Sequence, residues 1–226
     1  MNSALPALPP ALDLAGTAVF ALTGALLAAR LKQTFVTMAF FALVTGVGGG
    51  TVRDLMIGAP VFWVRDPWVA PICLGVALIA WFTPRAWWAK DDQGGRLLEW
   101  LDAGGLAAYA TLGAAKALVF GIAPVPAVVM GVVTGCVGGI IRDVLAGRPS
   151  ILMRPELYVT AAAVSAGLCV LGKLADLPDA ATWTIAVLGG FGLRAAALVW
   201  GLALPGHRGC SQRPRGSAKS GDWAVA

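Results

Sequence analysis

Seven apolar segments, each about as long as a membrane-crossing helix, place the tightest limit on how this sequence can fold. A helix of about 20 mostly apolar residues is enough to cross the hydrocarbon core of a bilayer. Only 13% of the residues are charged, whereas about a quarter is usual in soluble domains. The sequence therefore predicts an all-α integral membrane protein with seven transmembrane helices, at residues 10–30, 34–58, 67–84, 98–119, 123–147, 156–174 and 183–204.

The regions outside these segments indicate the orientation of the chain. We interpret residues 1–9 as a short N-terminal segment, 85–97 as a linker and 205–226 as a basic tail whose Gly, Ser and Arg content predicts disorder. Cytoplasmic loops of membrane proteins carry an excess of Lys and Arg. The basic tail therefore places the C-terminus in the cytoplasm and, after seven spans, the N-terminus outside. A cleavable signal is not expected, because no Lys or Arg precedes Arg30.

The first three segments recur in the next three at a fixed offset of 89 residues. Because three spans bring the chain out on the opposite side, the second copy enters the membrane inverted. The sequence therefore predicts two inverted three-helix repeats, residues 10–84 and 98–174, followed by a seventh helix. Inverted repeats are frequent in transporters and ion-conducting proteins, with the site near the middle of the membrane. The matched pairs include Asp13 and Asp102, Gly46 and Gly135, Gly49 and Gly138, Arg53 and Arg142, and Pro60 and Pro149.

Glycines cluster at the centre of the second and fifth segments. Each glycine in a helix costs about 1 kcal/mol relative to alanine, so the clusters mark points where a helix can kink or unwind. Freed carbonyls there can coordinate a cation. The alternative is close helix packing, which small residues permit, and the two interpretations are compatible. The candidate pore residues are Thr45, Gly46, Gly48, Gly49 and Gly50, with Thr134, Gly135, Gly138 and Gly139 in the second copy.

An Arg-Asp pair follows each glycine cluster, as Arg53 and Asp54 and again as Arg142 and Asp143. One charge at the bilayer centre costs about 2.5–3.5 kcal/mol on insertion scales. We therefore expect each arginine to be paired or to face water in a cavity, near the pore. Because the repeats are inverted, the two arginines are expected at opposite depths. The alternative is that each arginine snorkels towards the headgroups while each aspartate caps a short helix.

Four further charged residues are secondary candidates. Asp13 and Asp102 stand near the predicted starts of the first and fourth spans, where an acidic side chain caps the helix or, alternatively, attracts cations at a pore mouth. Lys116 ends the fourth span and Arg194 lies in the seventh, and burial is possible for both. Arg194 has no partner in the repeat, so it faces either the bundle or a subunit contact.

Other classes of function find little support. The single histidine, His207, lies in the tail and there is no HExxH motif, so the sequence does not predict an enzyme. The four cysteines lack CxxC spacing, which predicts neither a disulfide framework nor a metal site. No cofactor is expected beyond a permeating ion or a bound lipid. The net charge of +5 is spread over the tail and the segment ends, so nucleic acid is not an expected partner.

The stretch GVGGGTVRDLMIGAPVFW and its repeat GCVGGIIRDVLAGRP, within seven spans, resemble the prokaryotic trimeric intracellular cation (TRIC) channel family. That family overlaps bacterial membrane proteins with a "glycine transporter" domain name. The resemblance covers about residues 10–204. It implies a homotrimer in the bacterial inner membrane, with one pore in each protomer and passive permeation of monovalent cations, mainly K⁺.

By position, the resemblance implies helix kinks at the glycines of both copies and pore-side basic residues at Arg53 and Arg142. Val137 stands where the first copy has Gly48, so we expect the symmetry of the pore to fail there. The alternative function is secondary transport of a small zwitterion such as glycine, with an arginine as the partner of its carboxylate.

Overall fold

The computed structural model describes residues 10–84, 91–150 and 157–203, and these residues contain eight helices. The N-terminal segment 1–9, much of the linker, and the tail from residue 204 lie outside the described residues. The helices are α1 (Pro10–Arg30), α2 (Phe35–Met56), α3 (Phe62–Arg65), α4 (Val69–Phe82), α5 (Asp91–Val119), α6 (Pro124–Leu145), α7 (Tyr158–Leu174) and α8 (Asp179–Trp200).

The fold is that of an all-helical membrane protein. Among the described residues, α1, α2, α6 and α8 are long and apolar enough to cross a bilayer, while α4 and α7 are shorter apolar helices. Large apolar side chains point outward at many positions, for example Phe82 at 79% and Trp200 at 73% exposure. Because water does not favour such surfaces, they fit contact with lipid tails.

Two differences from the expected helices bear on the site, the start of α5 and the presence of α3. α5 begins at Asp91, seven residues before the predicted start at 98, because the helix continues into the predicted linker. The one-turn helix α3 was not predicted, since four residues carry no periodic signal. The start of α5 matters for the site because it places Asp102 well inside the helix rather than at its beginning.

The helices that carry the Arg-Asp pairs end in the same way. Gly58 after α2 and Gly147 after α6 adopt left-handed backbone conformations, with φ of +68° and +63°. In each case the next residue donates its amide to the aspartate carbonyl, Ala59 to Asp54 at 2.8 Å and Arg148 to Asp143 at 3.0 Å. This glycine C-cap satisfies the last carbonyls of both helices. The repeated sequence therefore produces a repeated local structure.

The packing of the two copies is also repeated. α1 packs against α2 and α4, and its counterpart α5 packs against α6 and α7. α2 and α6 contact each other between the two groups, and α8 packs against α5 and α7. The core between these helices is built largely from alanine. Small side chains let the helices approach closely. In a membrane the hydrophobic effect does not favour contact between helices, because lipid tails are equally apolar, so association depends on such close packing.

Candidate functional site

The centre of the site is the contact between α2 and α6, which is reciprocal. A Cβ atom at Gly49 would overlap the carbonyl oxygen of Thr134, and one at Gly138 would lie 2.7 Å from the carbonyl oxygen of Thr45. Gly49 and Gly138 are repeat partners, and so are the two threonines. Because Gly49 lies against Thr134 and Gly138 lies against Thr45, α2 and α6 run antiparallel where they cross. The two glycines are therefore required for this approach of the two backbones.

The backbone does not unwind at either glycine cluster, because α2 and α6 are α-helical throughout. Other glycines of the clusters also lie against neighbours. A Cβ atom at Gly46 would lie 3.1 Å from the carbonyl oxygen of Thr17, and one at Gly135 would lie 2.9 Å from that of Leu106. Close packing is thus visible directly in this arrangement.

The first charge cluster comprises Asp13, Arg53, Asp54 and Lys116. Arg53 Nε donates to Asp54 Oδ1 at 2.8 Å, and Lys116 Nζ lies 2.9 Å from the same oxygen. Arg53 Nη1 lies 3.9 Å from Asp13 Oδ1. Arg53 and Asp54 are fully buried. Two cations and two carboxylates from three helices therefore meet at one end of the α2–α6 contact.

The second charge cluster comprises Thr23, Asp102, Arg142 and Asp143. Arg142 Nη1 donates to Asp102 Oδ1 at 2.6 Å and to Thr23 Oγ1 at 3.0 Å. Its Nε and Nη2 both lie 3.0 Å from Asp143 Oδ1. Because α2 and α6 cross in opposite directions, this cluster lies at the other end of their contact from the first. One guanidinium thus joins α1, α5 and α6.

These contacts decide between the interpretations of the charged residues. Arg53 and Arg142 are 0% and 2% exposed, so neither arginine snorkels out of the protein. The expectation that Asp102 caps a helix is wrong, because α5 begins eleven residues earlier and the carboxylate pairs with Arg142 instead. Asp13 does lie in the first turn of α1, but its carboxylate also faces Arg53.

Burial was considered possible for both Lys116 and Arg194; Arg194 is buried, whereas Lys116 is only partly buried. The Lys116 side chain is 13% exposed and extends from α5 to Asp54 on α2. Arg194, on α8, is 2% exposed and its Cζ lies 5.5 Å from the ring centroid of Tyr158. A Cβ atom at Gly139 would lie 2.8 Å from the Tyr158 hydroxyl. Arg194 therefore faces the bundle and borders the second cluster through Tyr158.

The two glycine clusters differ in sequence at Gly48 and Val137, the position at which we expected the symmetry of the pore to fail. The space at Gly48 is taken by Ile141 of α6, whose Cδ1 would lie 2.9 Å from a Cβ atom there. Val137 itself is partly buried. The contact between Gly49 and Gly138 nevertheless remains reciprocal, so this substitution does not disrupt the centre of the site.

Sequence reasoning missed several polar residues of the site. Tyr109 is the clearest case, because its hydroxyl lies 2.6 Å from Thr17 Oγ1 and donates to the Gly46 carbonyl at 3.2 Å. The sequence does contain a signal for these residues, because each is polar whereas the residue at the equivalent position of the other repeat is apolar. Comparison of only the identical positions overlooks such pairs, which are Tyr109 with Phe20, Thr23 with Leu112, and Tyr158 with Val69.

No metal-binding arrangement is present in the described ranges, where no group of three or more His, Cys, Asp or Glu side chains is suitably placed. Cys73, Cys136 and Cys169 are buried and not joined in disulfides. The charged groups of the site instead bind one another.

The geometry has counterparts in known proteins. The sequence matches the family described as "Glycine transporter" over residues 10–85 and 99–173. A UPF0126 membrane protein of Vibrio cholerae is 39% identical over 207 residues, which cover 86% of this chain and 80% of that protein. The UPF0126 inner membrane protein YadS of Escherichia coli K12 is 37% identical over 207 residues, covering 86% of this chain and 93% of that protein.

A solved structure is similar over most of the same length. It is the TRIC trimeric intracellular cation channel orthologue from Rhodobacter sphaeroides, with 41% identity and a TM-score of 0.79. The similarity covers 85% of this chain and 98% of that one.

The fold and the two buried charge clusters define a multi-pass helical membrane protein with a polar interior between its halves. The chain belongs to the "Glycine transporter" family, which includes the UPF0126 membrane proteins and the prokaryotic TRIC channels.

Proposed function

We propose that this protein is a cation channel that passes K⁺ through each protomer, along a path beside the α2–α6 contact. The observation that carries the proposal is the reciprocal glycine contact with a buried charge cluster at each end, in a fold shared at 41% identity with a TRIC cation channel orthologue. Ionisable side chains inside a membrane protein are costly to bury and therefore commonly mark the path of an ion or another solute.

The proposed architecture has seven spans, α1, α2 and α4 to α8, because α3 is too short to cross a membrane. The two family matches, over residues 10–85 and 99–173, correspond to the two copies of the repeat and support their inverted arrangement. The solved relative at 41% identity is described as trimeric, which supports a homotrimer. We further propose the inner membrane of a bacterium, with the N-terminus outside and the C-terminus in the cytoplasm.

The clusters explain how arginines fit a cation path. In the first cluster two carboxylates balance two cations, and in the second Asp102 and Asp143 outnumber the one cation, Arg142. Neither cluster therefore presents a net positive barrier at close range. Arg53 and Arg142 instead bind the carboxylates, and movement of either pair would expose an acidic oxygen to a passing ion.

Unsatisfied polar atoms support water along the path. In the described part of the chain, Arg53 Nη1 and Nη2 and Thr45 Oγ1 are buried without a hydrogen-bond partner. Buried polar groups are normally satisfied by protein or by ordered water. Atoms of this kind on α2, close to the contact with α6, fit a hydrated path at that point.

The test is flux through purified protein in liposomes. We expect ⁸⁶Rb⁺ to accumulate in K⁺-loaded vesicles that contain the protein when they are placed in a low-K⁺ medium, and not in protein-free vesicles. Outward K⁺ diffusion makes the vesicle interior negative, and Rb⁺ resembles K⁺ in size and charge. Uptake of labelled glycine is measured in parallel. Glycine uptake without ⁸⁶Rb⁺ flux would replace the channel with the transporter alternative.

A further inference from the structure

The phenyl ring of Phe62, on the one-turn helix α3, lies directly against the first charge cluster. Its centroid is 5.8 Å from Arg53 Cζ and 5.9 Å from Lys116 Nζ. A cation within about 6 Å of an aromatic centroid is attracted to the ring, more strongly where water is excluded. One ring therefore contacts both cations that bind Asp54.

Backbone and side-chain contacts hold this ring in place. The Phe62 amide donates to Asp54 Oδ2 at 3.0 Å, and Trp63 Nε1 donates to Thr51 Oγ1 at 3.0 Å. A Cβ atom at Gly50 would lie 2.5 Å from Phe62 Cε1. The ring therefore occupies space that exists only because residue 50 is a glycine.

The second copy fills the equivalent space with a different element. Gly139, the repeat partner of Gly50, lies against the hydroxyl of Tyr158, which belongs to the full-length helix α7. Phe62 belongs instead to the one-turn helix α3, in which Val64 is 69% exposed. Displacing a four-residue surface helix disturbs far less packing than displacing α7. The first cluster is thus covered by the more easily moved group.

We propose that Phe62 is a positioning residue, which keeps Arg53 and Lys116 on Asp54 and so seals the first charge cluster. When α3 moves away, the ring leaves the space at Gly50 and the Lys116 ammonium becomes accessible to water. The effect on ion flux rests on the proposed channel function, whereas the effect on the accessibility of Lys116 does not.

Site-resolved acetylation of lysine tests the positioning role. Purified full-length protein is treated with a water-soluble acetylating reagent, and modification is quantified by mass spectrometry, with exposed Lys32 as the internal reference. We expect Phe62→Ala to raise the Lys116 labelling rate about tenfold, the scale set by losing a desolvated cation–π contact. Gly50→Ala keeps the ring but displaces it, so it should also raise labelling. Val64→Ala, on the same turn, is the matched control and should leave labelling unchanged.

The conservative variant Phe62→Tyr and measurements of ⁸⁶Rb⁺ flux provide a second test. Phe62→Tyr retains the ring and should label like the wild type, and ⁸⁶Rb⁺ flux should rise in Phe62→Ala and Gly50→Ala but not in Phe62→Tyr. Wild-type labelling of Lys116 in both Phe62→Ala and Gly50→Ala would overturn the proposal. Raised labelling in proteoliposomes that pass no ⁸⁶Rb⁺ would support the positioning role and reject the channel.

Discussion

Gly49→Ala is expected to lower the thermal midpoint of the purified protein by roughly 10 °C. A methyl group at this position would overlap the carbonyl oxygen of Thr134, and backbone atoms cannot rotate away as a side chain can. Forcing an extra carbon into a packed contact costs about 1–3 kcal/mol or more, and each kcal/mol shifts the midpoint of a chain of this size by about 2–4 °C. Gly138→Ala should have a similar effect, because it meets Thr45 in the same way.

Intrinsic tryptophan fluorescence during heating measures these midpoints in detergent. Gly104→Ala in α5 and Gly167→Ala in α7 are matched controls, since a Cβ atom at either position meets nothing within 4 Å. Alanine is the better helix former by about 1 kcal/mol, so both controls should be neutral or slightly stabilising. If Gly49→Ala melted with the controls, the close α2–α6 contact would not exist in the protein.

Arg142→Ala is expected to destabilise the protein more than Arg53→Ala does. Removing Arg142 leaves Asp102 buried beside Asp143 without their shared cation, and breaking a buried pair in this way costs about 3–5 kcal/mol. Removing Arg53 leaves Asp54 still paired with Lys116 at 2.9 Å. The two copies of one motif should therefore respond unequally to the same substitution.

A double-mutant cycle isolates the pair itself. Arg142→Ala, Asp102→Ala and the double variant are compared by thermal midpoint, with Arg65→Ala on the exposed face of α3 as the control. If the two side chains are in direct contact, we expect a coupling energy of about 1–3 kcal/mol. The double variant should then lose less stability than the two single variants lose in sum. Additive effects would show that Arg142 and Asp102 do not interact.

Much of this fold could be predicted from the sequence because the relevant signals are local or periodic. The first predicted span, 10–30, coincides with α1. The Arg-Asp pairs could be predicted to be neutralised, since a lone charge in a bilayer is costly. The offset of 89 residues relates two groups of helices, α1, α2 and α4 in the first and α5, α6 and α7 in the second, that pack in corresponding ways.

The partners of the charged groups could not be predicted in the same way. Arg142 binds Thr23, which is 119 residues earlier, and hydropathy carries no information about such a pairing. Asp102 was misplaced because residues 91–96, which are polar or glycine, hide the early start of α5. Similarly, the contact of the Phe62 ring with Gly50 depends on the path of the chain between α2 and α3. Neither hydrophobic periodicity nor the repeat determines that path.

Single-channel recording in planar bilayers shows directly whether cations pass beside the two charge clusters. The wild-type protein is compared in a KCl gradient with Arg53→Gln and Arg142→Gln, and with Arg53→Lys and Arg142→Lys as charge-preserving controls. We expect K⁺-selective currents whose conductance or open probability rises in the Gln variants, because a positive charge beside the path is removed. Records unchanged in both Gln variants, or wild-type currents that reverse at the chloride potential, would contradict this expectation.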